Sequence, residues 1–106
     1  MKEIKFRAFD KEKAVMFPVR ELRMLPEKPM VWSTSSDVGI PLRYVELMQF
    51  TGLKDKNGKE IFEGDIVKIA GMIHEVKYEG ACFQIPAVPE HLLIVGNIWE
   101  HPDLLK

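Results

Sequence analysis

Residues 49–67 read Gln49-Phe50-Thr51-Gly52-Leu53-Lys54-Asp55-Lys56-Asn57-Gly58-Lys59-Glu60-Ile61-Phe62-Glu63-Gly64-Asp65-Ile66-Val67. An Asn-Gly pair between two apolar segments is a strong short-range signal for a β-hairpin. The Glu63-Gly64-Asp65 turn that follows opens a further strand. The stretch therefore predicts a mainly β fold, and it contains no group of side chains typical of catalysis.

The charges of this hairpin favour one of two possible registers. A two-residue Asn57-Gly58 loop would place like charges opposite each other across the strands, which costs energy. If Gly58 instead takes the left-handed position of a G1 bulge, every opposed pair is complementary. This second register, which we predict, pairs Asp55 with Lys59, Lys54 with Glu60, and Leu53 with Ile61.

Length and composition indicate one ordinary soluble domain. The chain has 106 residues, of which 46% are hydrophobic and 29% charged, and a chain of this size buries roughly two-thirds of its unfolded surface. One cysteine cannot form an internal disulfide, the N-terminus has no apolar signal region, and the longest aliphatic run, 92–95, is too short to span a bilayer. We therefore expect a cytoplasmic protein.

The net charge of -1 hides an asymmetry between the two parts of the chain. Residues 1–59 carry twelve Lys and Arg against eight Asp and Glu, whereas residues 60–106 carry three against eight. The parts are therefore +4 and -5. Such a division favours attraction between them, within one chain or head to tail between chains, and argues against phosphate-backbone binding by the C-terminal part.

The periodicity divides the chain into three segments of a single domain. Residues 1–17 alternate around a polar turn and predict an N-terminal hairpin. Residues 18–43 contain four of the seven prolines and predict a proline-rich irregular arm, with a short helix possible over 20–25. Residues 44–106 contain short strands separated by tight turns, which predict a small closed or nearly closed barrel that ends in one helical turn at 102–105. The expected barrel core comprises Val67, Ile69, Ile73, Val76, Phe83, Ile85, Leu93, Val95 and Ile98.

Three parts of the chain together resemble the YopX family, whose members are small proteins of bacteriophages and prophages in Gram-positive bacteria. The resemblance rests on Ile4-Lys5-Phe6-Arg7-Ala8-Phe9-Asp10, on residues 48–67, and on Val95-Gly96-Asn97-Ile98-Trp99-Glu100-His101-Pro102-Asp103-Leu104-Leu105. It implies an SH3-like barrel in the C-terminal half and an origin in a mobile element. It supplies no catalytic or binding residue.

No residue pattern indicates an enzyme, a cofactor or a metal. Cys82 lies between apolar neighbours in a predicted strand and is expected to be a buried, unreactive thiol. The three histidines lack metal-ligand spacing. Residues 55–58 fail as an EF-hand because Leu53 and Gly64 would occupy positions that need carboxylates. Glu63 and Asp65 are expected to be turn residues rather than an acid–base pair.

Interaction with other proteins is the function that the sequence favours. The arm carries the apolar residues Met24, Leu25, Met30, Val31 and Trp32, which would be exposed unless a neighbouring subunit or the domain itself covered them. We therefore expect a homo-oligomer, in addition to a possible host or phage partner. The weak interaction candidates are Met30, Val31, Trp32 and Trp99.

A nucleic-acid-associated accessory protein is the alternative. It would require the basic residues of the N-terminal part to form one face with an aromatic side chain. The residues concerned are Lys2, Lys5, Arg7, Lys11 and Lys13, with Phe6 or Phe9.

Overall fold

The computed structural model describes residues 4–80, 82–86 and 88–105, and strands dominate them. The prediction of a mainly β protein is confirmed. Helical segments in this part of the chain are single 3₁₀ turns at Leu42–Tyr44, Pro89–His91 and Pro102–Leu105, and none is long and apolar enough to cross a membrane. The strands are β1 (Phe6–Asp10), β2 (Val15–Arg23), β3 (Met30–Ser33), β4 (Ile40–Pro41), β5 (Val45–Lys54), β6 (Glu60–Phe62), β7 (Asp65–Ile69), β8 (Met72–Glu75), β9 (Lys77–Glu79), β10 (Cys82–Gln84) and β11 (Leu93–Asn97).

The chain divides into two compact units. The N-terminal unit comprises residues 5–49, and the C-terminal unit comprises the described residues from 50 onwards together with residue 4. Strand β5 contributes its first half to the N-terminal unit, where it pairs with β1, and its second half to the C-terminal unit, where it pairs with β6. The hairpin predicted in residues 49–67 therefore begins where the second unit begins.

The N-terminal unit is an antiparallel sheet in the order β4-β3-β2-β1-β5. The predicted first hairpin is confirmed, because Ala8 pairs with Phe17 and Asp10 with Val15. Buried strand residues that alternate with more exposed ones pack as a core on one side of this sheet. This core consists of Ala8, Phe17, Val31 and Val45, with Val19, Leu22, Ile40, Leu42 and Leu47 packed against it.

The prediction of an irregular or partly helical arm over residues 18–43 is wrong. Strand β2 continues to Arg23, so the helix considered over 20–25 does not form, and β3 and β4 extend the sheet. The prolines occupy positions where the missing N–H is tolerated. Pro18 lies just before the register shift between Val19 and Glu21, and Pro41 ends the edge strand β4.

The C-terminal unit contains a three-stranded sheet in the order β11-β7-β8, the separate β9–β10 ribbon, and the pair formed by the second half of β5 with β6. Within the described ranges these strands do not close into a barrel. The fully buried core consists of Ile61, Val67, Val76 and Leu92.

The predicted core of this unit is partly confirmed. Val67 and Val76 are fully buried, and Ile69 and Ile85 pack against them. Phe83, Leu93, Val95 and Ile98 are half-buried. Ile73 is 38% exposed, because β8 is an edge strand that pairs with β7 alone. The buried residues Ile61, Ile66 and Leu92 were not predicted.

Candidate interaction surface

The hairpin tip, residues 55–59, has the predicted bulged turn. Lys54 pairs with Glu60, the N–H of Gly58 donates to the Asp55 carbonyl oxygen at 2.9 Å, and the N–H of Asp55 donates to the Lys59 carbonyl oxygen at 2.8 Å. Gly58 has φ +81°, the left-handed conformation that a G1 bulge requires. The predicted pairing of Lys54 with Glu60 is therefore confirmed.

The predicted register ends after that pair. Phe50 pairs with Phe62, so residues 51–53 lie opposite Ile61 alone, and a shift in register replaces the predicted pairing of Leu53 with Ile61. The buried Thr51 hydroxyl stabilises this shift, because it donates to the Ile61 carbonyl oxygen at 2.7 Å and accepts from the Leu53 N–H at 3.2 Å.

The Asp55 carboxylate holds the tip from inside the protein. Asp55 is only 6% exposed. Its Oδ1 accepts the N–H groups of Asn57 and Lys59, both at 2.9 Å, and its Oδ2 accepts that of Ile94 at 3.1 Å. Burial raises the pKa of Asp55, but the three N–H donors and the charge of Lys59 outweigh it, so the pKa lies below its ordinary value of 3.8.

Other polar residues, in segments 4–10, 48–67 and 95–105, also stabilise turns. Asp65, 2% exposed, accepts the Phe62 N–H at 2.8 Å. The Asn97 side-chain oxygen accepts the N–H groups of Trp99 at 3.0 Å and Glu100 at 2.8 Å. Asp10 accepts two N–H groups in the first turn in the same way. These side chains satisfy backbone donors at turns, so their carboxylate and amide oxygens are engaged in holding the fold.

The residues weighed for chemistry do not form a reactive cluster in the described part of the chain. No group of three or more His, Cys, Asp or Glu residues there has the geometry to hold a metal ion. The prediction that Cys82 is buried is wrong, because its thiol is exposed on β10. Its neighbours are polar: Sγ lies 3.5 Å from the Glu79 carbonyl oxygen and 3.3 Å from Gln84 Nε2. The short β9–β10 ribbon lies outside the core, which explains the exposure.

Exposed apolar side chains occur on the loop between β2 and β3, which we call the 24–29 loop. Met24 is 67% exposed and Leu25 53% exposed. Both strands that carry the loop are paired, with Leu22 opposite Val31 and Arg23 opposite Met30. The apolar residues therefore lie at the end of a fixed hairpin.

The predicted interaction residues beside this loop contribute less surface. Val31 is fully buried in the N-terminal core, and Met30 is half-buried. The Trp32 ring lies under the Arg23 guanidinium at 5.0 Å and so close to Gly39 that a Cβ there would be 2.7 Å from the ring. Trp32 therefore packs locally. Trp99, in the other unit, is half-buried, and its backbone N–H donates to the Asn97 side-chain oxygen.

The aromatic residues beside the N-terminal basic residues differ in accessibility over the described part of the chain. Phe9 is 7% exposed and belongs to β1, a central strand of its sheet. Lys11 Nζ lies 3.3 Å from Glu46 Oε1. Phe6 and Arg7 are half-buried on β1, Lys5 is half-buried just before it, and Lys13 is exposed in the turn. Lys2 lies outside the described residues.

The C-terminal unit has an aromatic pair formed by the exposed Tyr78 and the half-buried Phe83, of which the sequence predicted Phe83 as a core residue and did not single out Tyr78. Tyr78 on β9 pairs with Phe83 on β10, and their ring centroids are 4.9 Å apart in a T-shaped arrangement. Tyr78 is 49% exposed. A signal was present in the sequence, since Lys77-Tyr78-Glu79 and Cys82-Phe83-Gln84 are short segments with a central aromatic residue on either side of Gly80. A shallow pocket nearby is lined by His74, Glu75, Gln84, Ile85 and Pro86.

Comparison with known proteins gives a family and a fold. A family model described as YopX protein matches residues 5–106. Among solved structures, the chain is similar to the crystal structure of protein EF1440 from Enterococcus faecalis, with 27% sequence identity, a TM-score of 0.72 and 100% of each chain covered. The chain matches no curated protein.

Proposed function

This chain belongs to the YopX family, and we propose that it is a non-enzymatic, self-associating interaction module of phage or prophage origin that acts in the cytoplasm of a bacterial host. The observation that carries the proposal is the exposure of the adjacent side chains Met24 and Leu25, at 67% and 53%. They extend from paired strands, so a partner that covers them does not need to order a flexible chain first.

The energetics of this surface favour weak, reversible association. Burying a large apolar side chain contributes roughly 1.5 to 3 kcal/mol, and association costs several kcal/mol in lost freedom of motion. Association at tens of micromolar protein requires a net gain of about 6 to 7 kcal/mol, so flanking contacts must add to the burial of these two side chains. Opposite charges on the two parts of the chain add an attraction that salt screens.

Light scattering after size exclusion tests the proposal. At tens of micromolar protein in low salt, we expect a mass above that of the 12.2 kDa monomer and a decrease towards it in high salt. Replacing Met24 and Leu25 together with serine should give the monomer. Val15→Ser is the matched control, because Val15 is 49% exposed at the opposite end of β2. A monomeric parent in low salt would contradict the proposal.

The SH3-like barrel of the C-terminal half is part of the same proposal. One support is the set of short antiparallel strands in residues 60–97. The other is Val76, which lies between β8 and β9: its N–H donates to the Asp65 backbone carbonyl oxygen, and its own carbonyl oxygen accepts from the Gly64 N–H. An experimental structure of the chain in which β9–β10 joins the β11-β7-β8 sheet around Val67 and Val76 would support this assignment. One in which it does not would contradict it.

Two observations favour protein contact over the nucleic-acid alternative: Phe9, one of its two candidate aromatic residues, is buried, and Lys11 is paired with Glu46. A pull-down of the tagged protein from induced cells, with and without nuclease, separates the two functions. A stoichiometric, nuclease-resistant protein supports the interaction module. Nucleic acid that is lost on raising the salt concentration would support the alternative.

A further inference from the structure

We infer that the 24–29 loop of one copy docks on the aromatic face of the β9–β10 ribbon of a second copy, so that association is head to tail. The inference rests on the proposed self-association and adds its receiving site. Tyr78 is the centre of that site, with Phe83 beside it.

The β9–β10 ribbon has the exposure that a receiving surface needs. Its strands pair with each other and form no ladder with the three-stranded sheet over the described residues. Side chains alternate between the faces of a strand, so the opposed residues Tyr78 and Phe83 share one face, while Glu79 and Cys82 lie on the other. The T-shaped ring pair leaves half of Tyr78 accessible.

The loop carries the side chains that an aromatic face binds well. It begins with Met24 and Leu25, and Pro26 and Pro29 follow within it. A methionine sulfur makes favourable contacts with aromatic rings, and aromatic surfaces commonly receive proline-rich extended segments because little chain entropy is lost. The described residues of its own chain leave Met24 and Leu25 more than half exposed.

Charge favours loop-to-ribbon contact over loop-to-loop contact. Residues 20–28 carry three cationic residues against two acidic ones, whereas residues 75–84 carry Lys77 against Glu75 and Glu79. Two loops facing each other would bring like net charges together, while a loop facing a ribbon brings opposite ones together. The +4 and -5 parts of the chain extend this complementarity beyond the contact.

The resulting contact is heterologous, because the two copies use different surfaces. After one contact has formed, the pair retains one unused loop, on the copy whose ribbon is occupied, and one unused ribbon, on the other copy. Assembly therefore continues to a closed ring or an open chain, and a mixture of two differently damaged copies retains one intact contact.

Complementation between variants tests the inference. The loop variant carries Met24→Ser and Leu25→Ser, and the ribbon variant carries Tyr78→Ser; thermal melting establishes that each is folded. We expect each alone to be monomeric by light scattering, with its dissociation constant raised more than tenfold, and an equimolar mixture to form a heterodimer. Val88→Ser, which removes an apolar side chain that is 55% exposed in the same unit, should associate like the parent, as should Tyr78→Phe, which retains the ring.

The outcomes separate the inference from the proposed function. A ribbon variant that associates like the parent, beside a monomeric loop variant, overturns the receiving site and leaves self-association through the loop intact. A loop variant that still associates overturns the inference and the loop as the contact surface, whereas a monomeric parent overturns the proposed self-association itself. Two monomeric variants that do not combine also overturn the head-to-tail contact. If Tyr78→Ser does not fold, Tyr78→Thr is used instead, because threonine is favoured in strands, and it should raise the dissociation constant at least threefold; unchanged association would overturn the inference.

Discussion

The hairpin tip and the 24–29 loop both reverse the chain between antiparallel strands, yet their side chains have opposite roles. In the tip, Asp55 is buried and its carboxylate accepts three backbone N–H groups. In the loop, Met24 and Leu25 are exposed. A reversal whose polar groups are satisfied internally stabilises the fold. A loop that reverses the chain and exposes apolar side chains offers a surface that another molecule can cover.

The largest effect that sharpens this comparison should come from Asp55→Ala. Loss of the Asp55 carboxylate leaves three backbone N–H donors without their charged acceptor. We therefore expect the free energy of unfolding to fall by about 3 to 4 kcal/mol. Denaturant unfolding measures this. Asp37→Ala, at an exposed loop position, should change stability by less than about 0.5 kcal/mol. Equal effects of the two substitutions would show that the buried Asp55 stabilises the fold no more than an exposed loop residue does.

Gly96→Ala tests whether the segment after Ile94 is as closely packed as the tip. An added Cβ would lie 2.7 Å from His101 Nδ1 and 2.9 Å from Leu104 Cδ1, so we expect a loss of roughly 1 to 3 kcal/mol. The double variant with His101→Ala should lose less than the sum of the two single losses, because the clash is relieved. Additive losses would show that His101 is not the neighbour that matters.

The pH dependence of stability should also depend on Asp55. Because its pKa is lowered in the folded protein, its stabilisation is present above the ordinary value of 3.8 and is lost as the pH falls through the lower folded value. Asp55→Asn removes this titration, and its amide nitrogen would face the Ile94 N–H. Its unfolding free energy should therefore be lower at neutral pH and should fall less steeply below about pH 4 than that of the parent. Parallel pH curves would contradict the role of the carboxylate.

The smallest effect on stability should come from the 24–29 loop. Serine at positions 24 and 25 together should change the unfolding free energy of the monomer by less than about 0.5 kcal/mol, because both side chains are already exposed. Denaturant unfolding at low protein concentration, where association is absent, measures it. A loss of more than 1 kcal/mol would mean that these side chains support the fold and would weaken the contrast with the tip.

Local sequence determined the features that depend on neighbouring residues. The charge pattern around Asn57-Gly58 specified the bulged turn and the pairing of Lys54 with Glu60, because like charges opposed across a hairpin are unfavourable. Alternation specified the first hairpin, and the closing segment gave the 3₁₀ turn at Pro102–Leu105. The family resemblance also followed from short, contiguous stretches.

Tertiary structure decided what depends on residues far apart in the chain. The sequence does not show that Asp55 contacts Ile94, which is 39 positions away, or that the proline-rich segment joins a sheet begun by β1. Strand pairing between distant segments overrides the local signal of proline when each proline lies at a strand end, an edge or a bulge. Exposure follows the same rule: Cys82 and Ile73 have core-like neighbours in sequence but lie on strands that pair at the margin of the unit. Burial is set by what packs on a strand, and that is a property of the whole fold.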